Sequence, residues 1–165
     1  MENNEILHLG DTTNRIESPE HAGELICYVA EGGGLVVEGA ALEAFDKFGL
    51  GHLIGARTIC RLSLREWQIK VGEEGLLNTT IQAKQSVQAA LYLCHFDTLR
   101  PGREIPRRSI VMEYRYCQTV IPALWTLRYG MGNVVVLNGM KISDIIDVAV
   151  REIVDQTIRR MEGSV

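Results

Sequence analysis

The sequence has no CxxC pair, no two histidines four apart, no apolar run long enough to cross a bilayer and no surplus of basic residues. Each absence closes off a class of function. Cys27, Cys60, Cys94 and Cys117 stand far apart among apolar neighbours, so they read as reduced core residues in a reducing compartment and not as a disulfide framework or a zinc site. His8, His21, His52 and His95 have no carboxylate cluster at ligand spacing, so no metal site and no cofactor is expected. Glu38, Glu43 and Asp46 interrupt the longest apolar candidate, which argues against a membrane span. The start, Met1 to Glu5, is acidic and polar and lacks the features of a secretory signal, so a soluble, cytoplasmic protein is expected. With 17 basic against 21 acidic residues the formal charge is −4, which disfavours nucleic acid and anionic membranes as partners.

What is present suffices for one core. At 165 residues, 46% hydrophobic and 23% charged, the chain has the composition of an ordinary globular domain. A chain of this length buries about two-thirds of the surface its unfolded form exposes. No repeat or linker divides it. Residues 1–21 are polar and without sustained periodicity, and they read as a flexible N-terminal arm. Residues 22–165 read as a single α+β domain, a mixed or antiparallel sheet packed by a long C-terminal helix and one or two further helices.

The element readings follow from periodicity and punctuation. Gly23 to Val29 and Leu35-Val36-Val37 read as two strands around Gly32-Gly33-Gly34, and Gly39 to Phe48 as a short helix. Thr58 to Val71 reads as strand with a face change, because Cys60, Leu62 and Leu64 alternate out of phase with Trp67, Ile69 and Val71. Val87, Ala90, Leu91 and Cys94 suggest a helix over Thr79 to His95. Ser109 to Ile121 reads as one long strand, Ala123 to Tyr129 as a short helix after Pro122, and Val134 to Leu137 as a strand before a tight turn at Asn138-Gly139, with Met140 to Ile142 following. Ser143 is expected to cap the last helix, over 143–162, whose apolar stripe is wide enough to suggest burial on two sides.

The densest chemistry lies where Cys94-His95-Phe96-Asp97 is followed by Arg100, Arg103, Arg107 and Arg108. Guanidiniums bind two oxygens of a phosphate or carboxylate at once, so these four form a candidate ligand-binding loop for an anionic small molecule. His95 is the candidate catalytic acid or base beside it. Gly49 to Gly55 holds a GxGxxxG spacing that lacks the strand-turn-helix context of a phosphate loop, and reads as a connection or a close backbone crossing. A helix-turn-helix across Ser63 to Leu91 is opposed by Glu73 and Glu74 where phosphates would approach.

The composition, the wide C-terminal stripe and the scattered Ile and Leu of the N-terminal residues favour a homo-oligomeric binding or interaction protein, self-associating through the 143–162 helix. The rivals are a small enzyme for a phosphorylated or carboxylated metabolite, with Arg100 and Arg103 as clamp and His95 as acid or base, and a nucleic-acid-associated regulator.

Overall fold

Two runs of β-branched and aliphatic residues, Leu35-Val36-Val37 and Val134-Val135-Val136, dictate the centre of the molecule. A computed structural model describes residues 6–10, 16–39, 41–62, 66–71, 83–86, 91–96 and 108–162. In it the two runs lie in β2 (Gly34–Glu38) and β9 (Gly132–Leu137), which pair in parallel with Val36 opposite Val135. Leu35, Val37, Val134 and Val136 face one apolar cluster, and Val36, Val135 and Leu137 face another. A strand apolar on both faces needs cover on both, which is why these runs do not alternate with polar residues.

The cover comes from helices of opposite ends of the chain. α1 (Pro19–Ala30), α2 (Ala41–Lys47) and α3 (Gly51–Ile54) contribute to the first cluster, and α4 (Val148–Glu162) to the second. β1 (Ile6–Leu9) joins the open edge of β2 in parallel, and β8 (Thr119–Tyr129) and β7 (Arg108–Tyr116) continue antiparallel from β9. β4 (Glu66–Val71) and β5 (Ala83–Ser86) complete a seven-stranded mixed sheet of order β1-β2-β9-β8-β7-β4-β5. β3 (Ala56–Leu62) and β6 (Leu91–Phe96) form a separate antiparallel pair. The expected α+β class, with a mixed sheet and a long C-terminal helix, is the observed one.

Several element readings are corrected. Ile6 to Leu9, placed within an N-terminal arm, is an edge strand with Leu9 in the core. Gly23 to Val29 is helix, not strand. Ser18 accepts a hydrogen bond from the His21 backbone N–H at 3.3 Å, Pro19 presets the first turn, and Ala22, Leu25 and Val29 form the buried stripe. Within the helix expected over Thr79 to His95, the described residues are strand, β5 and β6, because the ladder of Leu91–Phe96 against β3 overrides a weak 3.6-residue stripe. β3 carries a bulge between Thr58 and Cys60, and β4 follows as a second strand.

The long strand expected from Ser109 to Ile121 breaks at Cys117, whose φ of 53° makes it a left-handed non-glycine residue in the hairpin turn. Ala123 to Tyr129 is strand and not helix. Register shifts at Val111 of β7 and at Ala123 of β8 turn β8 over, so Ile121 and Ala123 face the α4 side while Trp125 and Leu127 face the α1 side. No strand is found at Met140 to Ile142, where a 3-10 turn at Ile142–Asp144 follows instead. α4 starts five residues after Ser143, because the Asp147 carboxylate accepts from the Ala149 and Val150 backbone N–H groups at 3.0 and 3.1 Å. It buries one stripe, Val150, Val154, Thr157 and Met161, with Ile153 and Ile158 half-covered. Cys27, Cys60 and Cys117 are exposed and Cys94 half-buried, so the core reading of the cysteines is corrected for the first three. Cys27 lies on the exposed side of α1, Cys60 on an exposed position of β3 and Cys117 in the turn between β7 and β8.

The end of α1 meets the turn between β8 and β9 backbone to backbone. Met131 N–H donates to the Ala30 carbonyl at 3.0 Å, and a Cβ on Gly132 would lie 2.1 Å from the Val29 carbonyl oxygen. Gly23, by contrast, sits on α1 with open space around it. Gly132→Ala is therefore expected to cost about 3 kcal/mol in urea unfolding, and Gly23→Ala to stabilise by about 0.5–1 kcal/mol.

Candidate functional site

In open sheets with parallel strands, ligands bind beyond the carboxyl ends of those strands. Here that edge is formed by Leu9, Glu38 and Leu137, the last residues of β1, β2 and β9. Asn138 follows directly and is fully buried. Its side-chain amide donates to the Tyr92 carbonyl at 2.7 Å and the Pro122 carbonyl at 3.0 Å, and its oxygen accepts from the Tyr92 N–H at 2.9 Å. The amide thus pairs with Tyr92 as a strand would, and joins the β3-β6 pair to the main sheet. Its main chain is used as fully: Asn138 N–H donates to the Ala123 carbonyl at 2.9 Å, and the Tyr114 hydroxyl donates to the Asn138 carbonyl at 2.8 Å. Burial holds the Tyr114 phenol well above its ordinary range, which keeps it a donor.

The other polar side chains at this edge are also committed. Glu38 takes the Ile142 N–H at 3.0 Å on one oxygen and stands 3.6 Å from His8 Nδ1 with the other. The Tyr92 hydroxyl donates to Glu43 at 3.1 Å, and Asp46 accepts from the Thr58 N–H at 3.3 Å. The Cys94 thiol lies 3.6 Å from the Tyr92 carbonyl. Burial, with a smaller push from Asp46, raises this thiol from its ordinary 9.0 to about 12. It is a packed thiol and not a nucleophile. Among the described residues no group of three or more His, Cys, Asp or Glu is placed to hold a metal ion, and no helix is long and apolar enough to cross a membrane.

Of the residues singled out from sequence, His95 lies in β6 with its backbone opposite Arg57, not at a helix end. Arg100, Arg103 and Arg107 lie outside the described residues. Arg108 opens β7 and donates through Nη1 to the Gly55 carbonyl at 3.2 Å, while Trp125 Nε1 donates to the neighbouring Ile54 carbonyl at 2.9 Å. Both close the end of α3. The Gly49 to Gly55 stretch serves backbone packing, since a Cβ on Gly51 would lie 2.7 Å from the Ala56 carbonyl oxygen. His52 Nδ1 is 3.2 Å from the Gly49 carbonyl. Sequence reasoning missed Asn138, Tyr92, Glu38 and Glu43. The available signal was an amide directly after a four-residue apolar run, which reads first as a turn.

No family model matches the chain, and no curated protein matches it. Solved structures do resemble it. A catalytic mutant of Gan42B, a GH42 beta-galactosidase from G. stearothermophilus, superposes with a TM-score of 0.60 at 14% identity over 87% of this chain. The chain spans 20% of that longer one. A cytoplasmic protein from Salmonella typhimurium gives 0.58 at 12% identity, covering 83% of this chain and 58% of its own. A ThuA-like protein from Bacteroides uniformis gives 0.57 at 12% identity, covering 93% and 67%. The likeness is one of fold.

The neutral Cys94 thiol has two measurable consequences. In the folded protein it is expected to resist a maleimide at pH 8 while Cys27, Cys60 and Cys117 react, as mass spectrometry of the labelled peptides would read. Because its folded value lies above its unfolded one, its contribution to stability is whole below about pH 9 and is lost as pH rises through the folded value near 12.

Proposed function

We propose that this chain is a homo-oligomeric interaction module whose self-contact lies at the α4 end. The observation that carries the reading is the pair Ile146 and Val148, 76% and 80% exposed, at the point where the chain enters α4. Ile142 lies half-covered in the same segment. Two large aliphatic side chains held in water next to a helix gain by covering one another in a second copy.

The carboxyl edge supports the same reading from the other side. Where related topologies place reactive groups, this chain spends Asn138, Glu38, Glu43 and Tyr92 on hydrogen bonds that hold its own backbone. That the fold recurs as a fifth of a longer beta-galactosidase chain fits a module that works within an assembly.

The second reading is a small enzyme with His95 as acid or base and the Arg100 and Arg103 clamp. Light scattering behind size-exclusion chromatography separates the two. The chain is expected to elute as a closed oligomer at micromolar concentration, and Ile146→Asp with Val148→Asp is expected to give a folded monomer of unchanged circular dichroism. A chain that is already monomeric, or an oligomer indifferent to both substitutions, would remove the module reading. An oligomer that instead dissociates when Arg100 and Arg103 are changed to Ala would put the contact at those arginines and overturn the α4 reading.

A further inference from the structure

A second feature lies on the opposite face of the sheet from α4. Between the edge strand β1 and α1 is an open cleft of about 330 Å³. Leu7 and Leu9 line it from β1, and Leu25 and Tyr28 from α1, with Ile16 at the approach to the helix. Its polar contributors are His21 and Glu24, one turn apart on the exposed side of α1. The cleft is therefore an apolar slot with a carboxylate at its rim, at the lower end of the size range of small-molecule sites, about 300–1,000 Å³.

Glu24 is the one carboxylate among the described residues that line the cleft, and no lysine or arginine is among them. Glu20, one turn before Glu24, is held below the usual carboxylate range by its hydrogen bond with Ser18. An anionic ligand entering this slot meets the Glu24 carboxylate, and a neutral one gains nothing from it. A cation gains from Glu24 by attraction.

We propose that this cleft is a binding site for a small ligand that joins an amine cation to an aliphatic or aromatic body. The body fills the slot between β1 and α1, and the ammonium rests at the rim against Glu24. Specificity comes from the pairing, because the apolar walls accept many bodies while the rim selects the sign of the head group.

The test uses the full chain labelled with ¹⁵N and three probes of equal chain length, hexylamine, hexanol and hexanoate. Hexylamine is expected to shift the amides of Leu7, Leu9, Leu25 and Tyr28 saturably, with hexanol weaker and hexanoate weakest. Glu24→Gln, at an exposed helix position that leaves the fold intact, is expected to weaken hexylamine by about fivefold and to leave hexanol unchanged. Equal affinity for hexanoate, no saturable shift with any probe, or indifference to Glu24→Gln would overturn the proposal. So would shifts of the same amides on raising protein concentration alone, since the cleft would then be covered by a second copy. α4 packs on the other face, so the α4 contact can fail or stand without changing this result.

Discussion

The buried amide of Asn138 is the interaction on which the rest of the structure depends. A two-stranded pair such as β3-β6 is marginal by itself and must be fixed to something larger. Here the attachment is a side chain that imitates a strand, giving Tyr92 both the donor and the acceptor that a ladder partner would give. The same residue draws in Pro122 and Ala123 of β8 and Tyr114 of β7, so three elements of the main sheet and one of the small pair meet at one point. Each of these groups is buried or half-buried, and leaving one unpaired costs about 1–3 kcal/mol. Aspartate would not substitute for asparagine, because it lacks both N–H donors and would bury a charge.

This arrangement explains why the described polar side chains at the carboxyl edge of the parallel strands are spent on holding the fold. The parallel topology supplies a crevice there in many proteins, but in this one β6 is docked across it through Tyr92. Glu38 anchors the segment leading to α4 through the Ile142 N–H, and Glu43 anchors the Tyr92 hydroxyl. The half-buried Cys94 thiol lies beside the Tyr92 carbonyl at the same place. Among the described residues, the apolar entrance to α4 and the cleft beside β1, the two surfaces proposed for recognition, lie on opposite faces of the sheet.

Much of the fold was legible, and the failures have physical causes. β2 and β9 are read correctly because a run of Leu and Val between glycines admits few alternatives, and α2 because Leu42 and Phe45 recur at helical spacing before a glycine. α1 was misread because Ile26, Cys27, Tyr28 and Val29 favour strand locally, while the deciding signal, Ser18-Pro19, lay outside the segment considered. β8 was misread because Pro122 suits a helix start, and the register shift at the next residue, Ala123, goes with its place in a sheet. The site was the least legible part. Asn138-Gly139 carries a real turn signal, but that the amide would face Tyr92, 46 positions earlier, is a tertiary fact no local pattern encodes.

Amide hydrogen exchange at Tyr92 tests the central role of Asn138 most directly. In the native chain the Tyr92 amide should exchange as slowly as those of Val135 and Val136 in β9. In Asn138→Ala it should exchange faster by at least about thirtyfold, equivalent to roughly 2 kcal/mol, together with the rest of β3 and β6 and ahead of β2 and β9. A Tyr92 amide that exchanges at the same rate in both proteins, or a β3-β6 pair that opens no sooner than the main sheet, would contradict the account.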